Sequence, residues 1–331
     1  MSSYTVLGAG GWGTTLAQVL ALKGSSVKLW AREAEVRESI TRHRENSLFL
    51  PGVRLSEKIT PFGSLKDALE GAVLIVSVVP SHGLRDVLIE AREHIRQGSI
   101  IVSATKGIEE KGLLTPSGII KEALSGKDVA VVALSGPSFA AEVSKMLPAA
   151  LSAASDSSDA ARSVQEAFST GYFRVYTNSD VIGVELGGAL KNVMAIASGI
   201  SDGLGLGHNA RAALITRGLA EMSRLGLRMG AQASTFAGLS GLGDLVLTCT
   251  GPLSRNYTVG KALGGGMSLA EATGGMKAVA EGVKTCRGAR ALAHSYGIEM
   301  PITEAVYAVL YGGKQPREAV LELMNRDLKG E

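Results

Sequence analysis

The sequence has little of what marks secreted, membrane or nucleic-acid-binding proteins. Among 331 residues there are only two cysteines, Cys249 and Cys286, too few for a disulfide framework and without the spacing of a zinc site. We therefore expect reduced thiols, no metal and a cytoplasmic location. The formal net charge of +3 is too small to argue for nucleic acid or membrane binding, and we expect no nucleic acid partner and no integral membrane segment.

Other absences narrow the class further. The amino terminus shows no basic region followed by a cleavable apolar stretch, and no repeat, low-complexity tract or long linker occurs. What is present is ordinary globular composition, with 45% hydrophobic and 20% charged residues. The length exceeds the usual limit of a single core, so two domains are expected.

The first informative motif lies at the amino terminus, where a short apolar strand turns through glycines into a helix. It reads Tyr4-Thr5-Val6-Leu7-Gly8-Ala9-Gly10-Gly11-Trp12-Gly13. Gly8 permits the tight bend, Gly10 lets the backbone approach a pyrophosphate, and Gly13 allows close packing of helix on strand. A second strand follows the helix, at Ser26–Trp30. The pattern predicts a dinucleotide-binding βαβ unit, the alternative being a glycine turn without a ligand.

The residue after the second strand bears on cofactor choice. An acidic residue there holds the ribose 2′-hydroxyl of NAD, whereas this chain has Arg32, followed by Glu33. We expect NAD or NADP as cofactor, with NADP accepted. Two alternatives leave the preference between NAD and NADP open: Glu33 is within reach of a ribose hydroxyl, and Arg32 is simply solvated.

Nearly continuous apolar runs alternate with amphipathic segments in the first half of the chain. Such runs predict a parallel sheet covered by helices on both faces. The further strands are expected at 72–79, 99–103, 129–134 and 149–153. Beyond residue 178 the segments have helical spacing. The predicted architecture is α/β: a doubly wound, Rossmann-type domain over residues 1–178, followed by an all-helical domain over residues 179–331.

The segment between Asp180 and Asp202 carries only two charged residues, Glu185 and Lys191. One helical stripe combines the lysine with small residues: Gly183, Gly187, Lys191, Ala195 and Gly199. The glycines and charges argue against a membrane span. A buried ammonium needs partners, and desolvation shifts its pKa toward the range useful for proton transfer. Lys191 is thus a catalytic candidate; a lysine reaching out to a domain surface is the alternative.

Two further candidates follow strands, where a doubly wound sheet places its ligands. Lys106 lies just past the fourth predicted strand, positioned to polarise a carbonyl or hold an anion, or simply solvated in a loop. The segment Ser135-Gly136-Pro137-Ser138-Phe139-Ala140 ends the fifth predicted strand and starts a helix with proline near its first turn. It predicts exposed N–H donors, although capping alone also explains Ser138.

Late in the chain a turn leads into a helix at Gly251-Pro252-Leu253-Ser254-Arg255-Asn256-Tyr257. The helix cap is Ser254 or Asn256, with Arg255 alongside. A helix amino terminus, a guanidinium and an amide together predict a phosphate site, the alternative being a capped helix with a surface arginine. Upstream, Asp244 lies in a glycine-rich apolar setting, where it either pairs with a lysine or forms a turn.

Taken in order, these motifs resemble bacterial NAD(P)-dependent glycerol-3-phosphate dehydrogenases over nearly the whole chain. The matching segments are Gly8–Thr14, Ser135–Glu142, Leu190-Lys191-Asn192-Val193, Gly241-Leu242-Gly243-Asp244-Leu245, Leu253–Asn256 and Glu281-Gly282-Val283. Several separately spaced motifs in one order are far more specific than a glycine turn.

The resemblance implies two sets of contacts. The residues implied to border the cofactor are Gly11, Trp12, Arg32, Ala140, Val279 and Glu281, with Lys106 and Arg255 reaching both ligands. The residues implied to bind substrate are Lys106, Gly136, Ser138, Asp244, Ser254, Arg255 and Asn256. Lys191 is implied as the acid/base group. The family often has serine at the position of Gly11, so this chain keeps only the backbone N–H there.

The implied reaction is hydride transfer to C2 of dihydroxyacetone phosphate, giving sn-glycerol 3-phosphate for glycerophospholipid synthesis. Lys191 would quench the alkoxide, Lys106 and Asn192 would stabilise its charge, and Asp244 would orient Lys191. A homodimer is the family-based expectation. Two alternatives are a reductase of another small keto acid and a noncatalytic dinucleotide-sensing module. A keto acid reductase would need a cation for a carboxylate in place of the phosphate site. A sensing module gives the buried Lys191 no function.

Overall fold

The computed structural model describes residues 3–276, 280–328 and 330. The described chain forms two compact units. One comprises the residues up to Lys106 together with Leu114–Glu185, and the other comprises Gly107–Leu113 and the residues from Leu186 onward. The division between the units falls within a single helix, seven residues beyond residue 178. The domain boundary expected after residue 178 stays a prediction.

The first unit alternates strands and helices. Its strands are β1 (Ser3–Leu7), β2 (Ser26–Trp30), β3 (Ile59–Phe62), β4 (Ala72–Ser77), β5 (Ser99–Ser103), β6 (Val129–Ser135), β7 (Ala149–Ala154) and β8 (Phe173–Asn178). Its helices are α1 (Gly11–Leu22), α2 (Ala34–His43), α3 (Leu65–Leu69), α4 (Leu84–Ala91), α5 (Pro116–Ala123), α6 (Ala140–Val143) and α7 (Ser158–Phe168). Short 3₁₀ segments flank α4 at Ser81–Gly83 and Arg92–His94.

The strands form one sheet in the order β3-β2-β1-β4-β5-β6-β7-β8. The strands β2 and β3 lie on one side of β1, and the strands from β4 onward lie on the other. This reversal of strand order creates a topological switch point between β1 and β4, where Leu7 pairs with Ser77. The expectation of an entirely parallel sheet is wrong at one place, because β7 runs antiparallel to β6. The connection between them holds only the one-turn helix α6, which is too short to cover the sheet as a crossover helix does.

Helices cover both faces of this sheet, as predicted. Along β4, Leu74 and Val76 face one core, which is completed by apolar residues of α1 and α7. Ile75 faces the other core, which α3, α4 and α5 complete. Each β4 residue from Leu74 to Val76 is at most 3% exposed, so the apolar run is continuous because both faces are buried.

The outer edge of β8 is closed by the chain segment that precedes it. Gln165 donates its side-chain amide to the carbonyl of Val175 at 2.8 Å, and Ser169 Oγ accepts from the Val175 N–H at 3.4 Å. Thr170 bonds both backbone groups of Phe173, with distances of 2.8 and 3.0 Å. These contacts occupy the outward backbone groups of Phe173 and Val175, so the first half of β8 is protected against edge-to-edge pairing.

Among its described residues the second unit contains helices joined by loops and no strand, as predicted. Its helices are the later part of α8 (Val181–Gly203), then α9 (Gly207–Arg228), α10 (Ala233–Phe236), α11 (Asp244–Thr250), α12 (Arg255–Gly264), α13 (Leu269–Gly274), α14 (Glu281–Ser295), α15 (Pro301–Tyr311) and α16 (Pro316–Met324). A π-helical turn, Leu239–Gly243, precedes α11.

Helix α8 runs through the middle of this core. The helix is long and apolar enough to cross a membrane, with a mean hydropathy of 1.3 over its apolar stretch, yet 94% of that stretch is buried inside the protein. Residues such as Leu190, Val193 and Ile196 are completely buried among side chains of the other helices. This is the environment of a core helix.

Candidate active site

The glycine turn lies at the end of β1, beside the switch point. Gly8 has a φ of +110°, in the region that glycine adopts without strain. A Cβ on Gly13 would lie 1.9 Å from the Gly8 carbonyl oxygen, so only glycine lets α1 start this close to the strand. A Cβ on Gly10 would meet no atom of the described residues within 4 Å. The space at Gly10 therefore suits a pyrophosphate.

Helix α1 begins without a side-chain cap. Its N-cap residue is Gly10, which has no side chain to accept a hydrogen bond from the N–H groups of the first turn. Backbone N–H groups at a helix start favour an anion there. The turn thus fits the diphosphate of a dinucleotide both in space and in charge.

Gly11 and Ala140 lie side by side in the first unit. A Cβ on Gly11 would fall 3.9 Å from the Ala140 Cβ but only 2.8 Å from the Phe49 carbonyl oxygen. A serine at this position would therefore require the Phe49 backbone to move. Trp12, next in the chain, packs its ring against Phe173 with centroids 6.4 Å apart.

Asn46, which was not predicted from the sequence, holds the glycine turn in place. Its side-chain amide donates to the Ala9 carbonyl and to Thr14 Oγ1, each at 2.8 Å. Its Oδ1 accepts from the Phe49 N–H at 3.1 Å, and the residue is fully buried. A single asparagine in a loop, 37 positions away from Ala9, carried no signal that could have revealed this contact.

Arg32 follows β2 as predicted and reaches into solvent. Its side chain is 82% exposed, and its guanidinium lies 3.7 Å from the Glu33 carboxylate. Glu33 is the N-cap residue of α2, although its side chain makes no capping bond. Both side chains remain able to turn toward a ribose or its 2′-phosphate.

Lys106, Gly136 and Ser138 meet beyond the ends of β5 and β6. The Gly136 carbonyl accepts from Lys106 Nζ at 3.4 Å and from Ser138 Oγ at 3.0 Å. Gly136 has a φ of +148°, and a Cβ there would lie 2.9 Å from Leu151 Cα. The capping alternative for Ser138 is wrong, because α6 begins at Ala140 behind Phe139, so Ser138 and Pro137 both precede the helix.

In the second unit Lys191 is 6% exposed and forms an ion pair with Asp244. The pairing expected of Asp244 is therefore confirmed. Lys191 Nζ also donates to Thr248 Oγ1 at 2.7 Å, and Thr248 in turn donates to the Asp244 backbone carbonyl at 2.6 Å. Thr248 was not predicted, although its spacing of four from Asp244 places both on one face of α11.

The stripe of small residues on α8 explains how these partners reach Lys191. A Cβ on Gly187 would lie 2.3 Å from the Ser240 carbonyl, in the turn just before α11. A Cβ on Gly199 would lie 2.1 Å from the Tyr257 carbonyl of α12. Glycine on either side of Lys191 therefore lets two other segments pack against the α8 backbone.

Asn192 and Asn256 form a second buried polar pair. Asn256 donates its amide to Asn192 Oδ1 at 2.9 Å, and its own Oδ1 accepts from the Gly282 N–H at 2.9 Å. Asn192 also donates to the Gly188 carbonyl at 3.4 Å. Asn192 directly follows Lys191 in the sequence, and these hydrogen bonds fix its side chain and link it to the start of α12.

Ser254 is the N-cap residue of α12, which settles the choice between it and Asn256. Its Oγ accepts from the Tyr257 N–H at 3.2 Å. Arg255 is an exposed residue, yet burial around its guanidinium lowers its pKa, and the Glu281 carboxylate opposes that shift. Glu281 thus lies near Arg255. The other cofactor residue predicted in this region, Val279, lies outside the described residues.

Each unit thus gathers its own candidates. The first holds Gly8, Gly10, Gly11 and Gly13 at one turn, with Ala140 beside Gly11, and Lys106, Gly136 and Ser138 beyond β5 and β6. The second holds Lys191 with Asp244, and the Asn192 and Asn256 pair at the start of α12. Throughout the described ranges there is no group of three or more His, Cys, Asp or Glu side chains that could bind a metal ion.

Comparison with known proteins gives the family. The model of the NAD-dependent glycerol-3-phosphate dehydrogenase N-terminus matches residues 3–161, and the model of its C-terminus matches residues 180–321. The protein named glycerol-3-phosphate dehydrogenase [NAD(P)+] of Citrifermentans bemidjiense is 58% identical, covering 98% of both chains. The protein of the same name from Geobacter sulfurreducens is 57% identical, also over 98% of both chains.

Solved structures agree with these matches. The crystal structure of glycerol-3-phosphate dehydrogenase from Coxiella burnetii is 43% identical and covers 98% of this chain and 99% of its own, with a TM-score of 0.95. The enzyme from Saccharomyces cerevisiae is 27% identical, covers 98% and 99%, and has a TM-score of 0.83. The chain therefore belongs to the NAD-dependent glycerol-3-phosphate dehydrogenase family.

Proposed function

We propose that this chain catalyses the reversible, NAD(P)H-dependent reduction of dihydroxyacetone phosphate to sn-glycerol 3-phosphate. The observation that carries the proposal is the buried Lys191, held by Asp244 and Thr248, in a chain whose relatives bear the name of this dehydrogenase. An ion pair taken out of water needs a compensating reason to persist, and proton transfer to a reacting oxygen supplies one.

Lys191 is the proton donor in ketone reduction and the proton acceptor in alcohol oxidation. When bound, the nicotinamide supplies the hydride for C2, and negative charge then develops on the ketone oxygen. The Lys191 ammonium stabilises this charge and gives up a proton to it. The Asp244 carboxylate holds the ammonium in place, and Thr248 accepts a second of its hydrogen bonds.

Lys106 and Asn192 are proposed to stabilise the developing negative charge. Lys106 brings a second positive charge, and Asn192 brings an amide whose orientation is fixed by Asn256. Donors that are fixed before the reaction lose little energy in reorganising as the charge appears.

The nonreacting phosphate group binds at the start of α12. Ser254, Arg255 and Asn256 combine a helix amino terminus, a guanidinium and an amide. Gly136 and Ser138 contribute further substrate contacts from the loop that follows β6. Binding energy from the phosphate positions the carbonyl for reaction.

The cofactor is held by the turn from Gly8 to Gly13, with Trp12, Arg32 and Ala140 at its border. Lys106, Arg255, Val279 and Glu281 complete the cofactor set. Residues 1–178 serve as the dinucleotide-binding domain and residues 179–331 as the substrate-binding and catalytic domain. The support for this boundary is that β8 ends at Asn178 and α8 begins at Val181.

In the cell, the enzyme acts as a cytoplasmic homodimer that supplies glycerol 3-phosphate for glycerophospholipid synthesis. The support for a reducing compartment is that Cys249 and Cys286 are both free and buried. The dimer rests on the family alone, and sedimentation of the purified protein tests it.

The activity is tested by following nicotinamide absorbance with a panel of carbonyl compounds. We expect rapid NADPH or NADH oxidation with dihydroxyacetone phosphate and slow oxidation with dihydroxyacetone, which lacks the phosphate, or with pyruvate, a keto acid. Comparable rates with pyruvate would contradict the proposal in favour of a keto acid reductase. Cofactor binding without oxidation of any substrate would favour a sensing module.

A further inference from the structure

Arg37, on α2, is tied to the backbone that follows β2. Its Nη1 donates to the carbonyls of Ala31 and Arg32, each at 2.7 Å. A Cβ placed on Gly63, just beyond β3, would lie 3.1 Å from the Arg37 Cζ and Nε atoms. The guanidinium therefore rests against a bare stretch of backbone, between the ends of two neighbouring strands.

The anchoring of Arg37 uses only one of its nitrogen groups. Among the residues that the structure describes, no hydrogen bond or ion pair engages its Nε or Nη2. The remaining donors of a guanidinium form a planar fork that matches two oxygens of a phosphate. Arg37 thus has a fixed position and a fork still available for an anion.

The location of this fork suits one part of the cofactor. In a doubly wound fold, the residues after β2 face the adenosine ribose, and a cation there accommodates the 2′-phosphate of NADP. Gly63 has no side chain, which leaves space for the Arg37 guanidinium. The Trp30 indole N–H donates a hydrogen bond of 3.1 Å to the Gly63 carbonyl and so holds this backbone in place. The residues thus fit an adenosine 2′-phosphate by shape and by charge.

We propose that Arg37 is a specificity-determining residue, the anchored cation that recognises the 2′-phosphate of NADP(H). The proposal rests on the proposed function only in that the chain binds a dinucleotide. Arg32 is the partner cation, but it is 82% exposed and must lose its side-chain freedom to bind. Arg37 is already held, so less entropy is lost for each hydrogen bond that it makes.

A purely structural role for Arg37 makes a different prediction. If the guanidinium only ties down the loop after β2, its loss disturbs the binding of NADH and NADPH alike. If it contacts the 2′-phosphate, its loss affects only ligands that carry this group. The ratio of the two affinities therefore separates the roles.

The test uses Arg37→Gln, which removes the charge but keeps an N–H donor for the loop carbonyls. Binding of 2′,5′-ADP, 5′-AMP, NADPH and NADH is measured by calorimetry, without substrate or turnover. We expect the dissociation constants of 2′,5′-ADP and NADPH to rise about ten- to a hundredfold, as for loss of a charged hydrogen bond. Those of 5′-AMP and NADH should change little.

Two further variants sharpen the test. Arg42→Gln removes an arginine of the same helix that is 69% exposed and paired with Glu38, so the affinity for 2′,5′-ADP should not change. Gly63→Ala changes no charge but places a Cβ 3.1 Å from the Arg37 Cζ and Nε atoms, so the guanidinium has to shift by a few tenths of an ångström from the position in which it is held. This variant should lower the affinity for 2′,5′-ADP and leave the affinity for 5′-AMP unchanged.

The proposal is overturned if Arg37→Gln weakens all four ligands equally, or if it weakens 2′,5′-ADP no more than Arg42→Gln does. Should Arg37→Gln fail to fold, an unchanged preference for 2′,5′-ADP in Gly63→Ala overturns it instead. These measurements need no carbonyl substrate. A protein that binds NADPH through Arg37 yet reduces no dihydroxyacetone phosphate would contradict the proposed function and leave this inference intact.

Discussion

The hydroxyl of Thr248 donates its proton to the backbone carbonyl of Asp244, four residues earlier on α11, at 2.6 Å. Because that proton is engaged, the oxygen of Thr248 acts as an acceptor toward Lys191 Nζ at 2.7 Å. One turn of α11 therefore offers Lys191 both a carboxylate and a neutral acceptor.

We expect Thr248→Val, which has nearly the same shape, to lower kcat without loss of the fold. Removing one hydrogen bond to a charged group costs about 1.5–3 kcal/mol, or about ten- to a hundredfold in rate if that bond positions the ammonium. Steady-state kinetics at saturating substrate measures the effect. The control is Thr250→Val, which removes an exposed hydroxyl that donates to the Val246 backbone carbonyl at 2.8 Å. Equal rates for the two variants would contradict a positioning role for Thr248.

Arg255→Ala should weaken substrates that carry a phosphate and no others. Loss of a charged hydrogen bond predicts a KM for dihydroxyacetone phosphate that is about ten- to a hundredfold higher. At saturating cofactor, which offsets the loss of the cofactor contact proposed for Arg255, the rate with unphosphorylated dihydroxyacetone should stay near that of the parent, because this substrate has no phosphate for the guanidinium to bind. A proportional loss with both substrates would place the phosphate elsewhere.

The close packing of α8 against α12 predicts an asymmetry between two glycine substitutions. Gly199→Ala inserts a Cβ 2.1 Å from the Tyr257 carbonyl, so the free energy of unfolding should fall by about 1–3 kcal/mol or more. Gly274→Ala, in α13, meets no atom of the described residues within 4 Å and should be neutral or stabilising. Urea denaturation of both variants tests this, and similar stabilities would contradict the packing described here.

Glu221 gives a prediction for pH. Its carboxylate accepts from the Ile302 and Thr303 N–H groups at 2.6 and 3.3 Å, where α15 begins, and burial raises its pKa from 4.5 to about 7. A group whose pKa is raised by folding stabilises the protein fully below its unfolded pKa, and this contribution is lost as the pH rises through the folded value. Between about pH 4.5 and 7 the fold should therefore lose stability through this residue.

Glu221→Gln should flatten that dependence. The difference in Tm between pH 5 and pH 8, measured by calorimetry, is expected to be smaller in the variant than in the parent. Glu271→Gln serves as the control, because the Ser268 contacts lower the pKa of Glu271, so it titrates below this window. A slope in Glu221→Gln that matches the parent would assign the pH dependence to other groups, such as Glu185, whose pKa burial also raises.

The elements that could be predicted from sequence are those with both faces buried. The runs at β4, β5 and β6 are apolar except for serines at their ends, so the strands could be predicted. Such runs do not indicate strand direction, and the antiparallel β7 could not be foreseen. The strand β3 contains Pro61, which fits only an edge position. The strand β8 alternates buried and exposed residues over only a few positions, a weaker signal than a continuous run.

The site was predictable where chemistry and local pattern coincide. The lone Lys191 in an apolar stripe demanded a partner, and a carboxylate among glycines was available in Asp244. Thr248 shares the face of Asp244 and could have been found by helical spacing. Asn46 could not, because its role depends on a long-range contact of a loop that has no periodicity. The anchoring of Arg37 likewise exists only once β2 and β3 lie side by side.

The central claim, that Lys191 transfers the proton, is tested most directly by Lys191→Met, which keeps the apolar stem and removes the ammonium. Turnover at saturating dihydroxyacetone phosphate is measured alongside NADPH affinity by fluorescence titration. We predict a turnover lower by roughly 10²–10⁴, as for loss of a general acid, with NADPH affinity near that of the parent. A folded Lys191→Met protein with turnover within a few-fold of the parent would contradict the mechanism and leave the lysine as a packing residue.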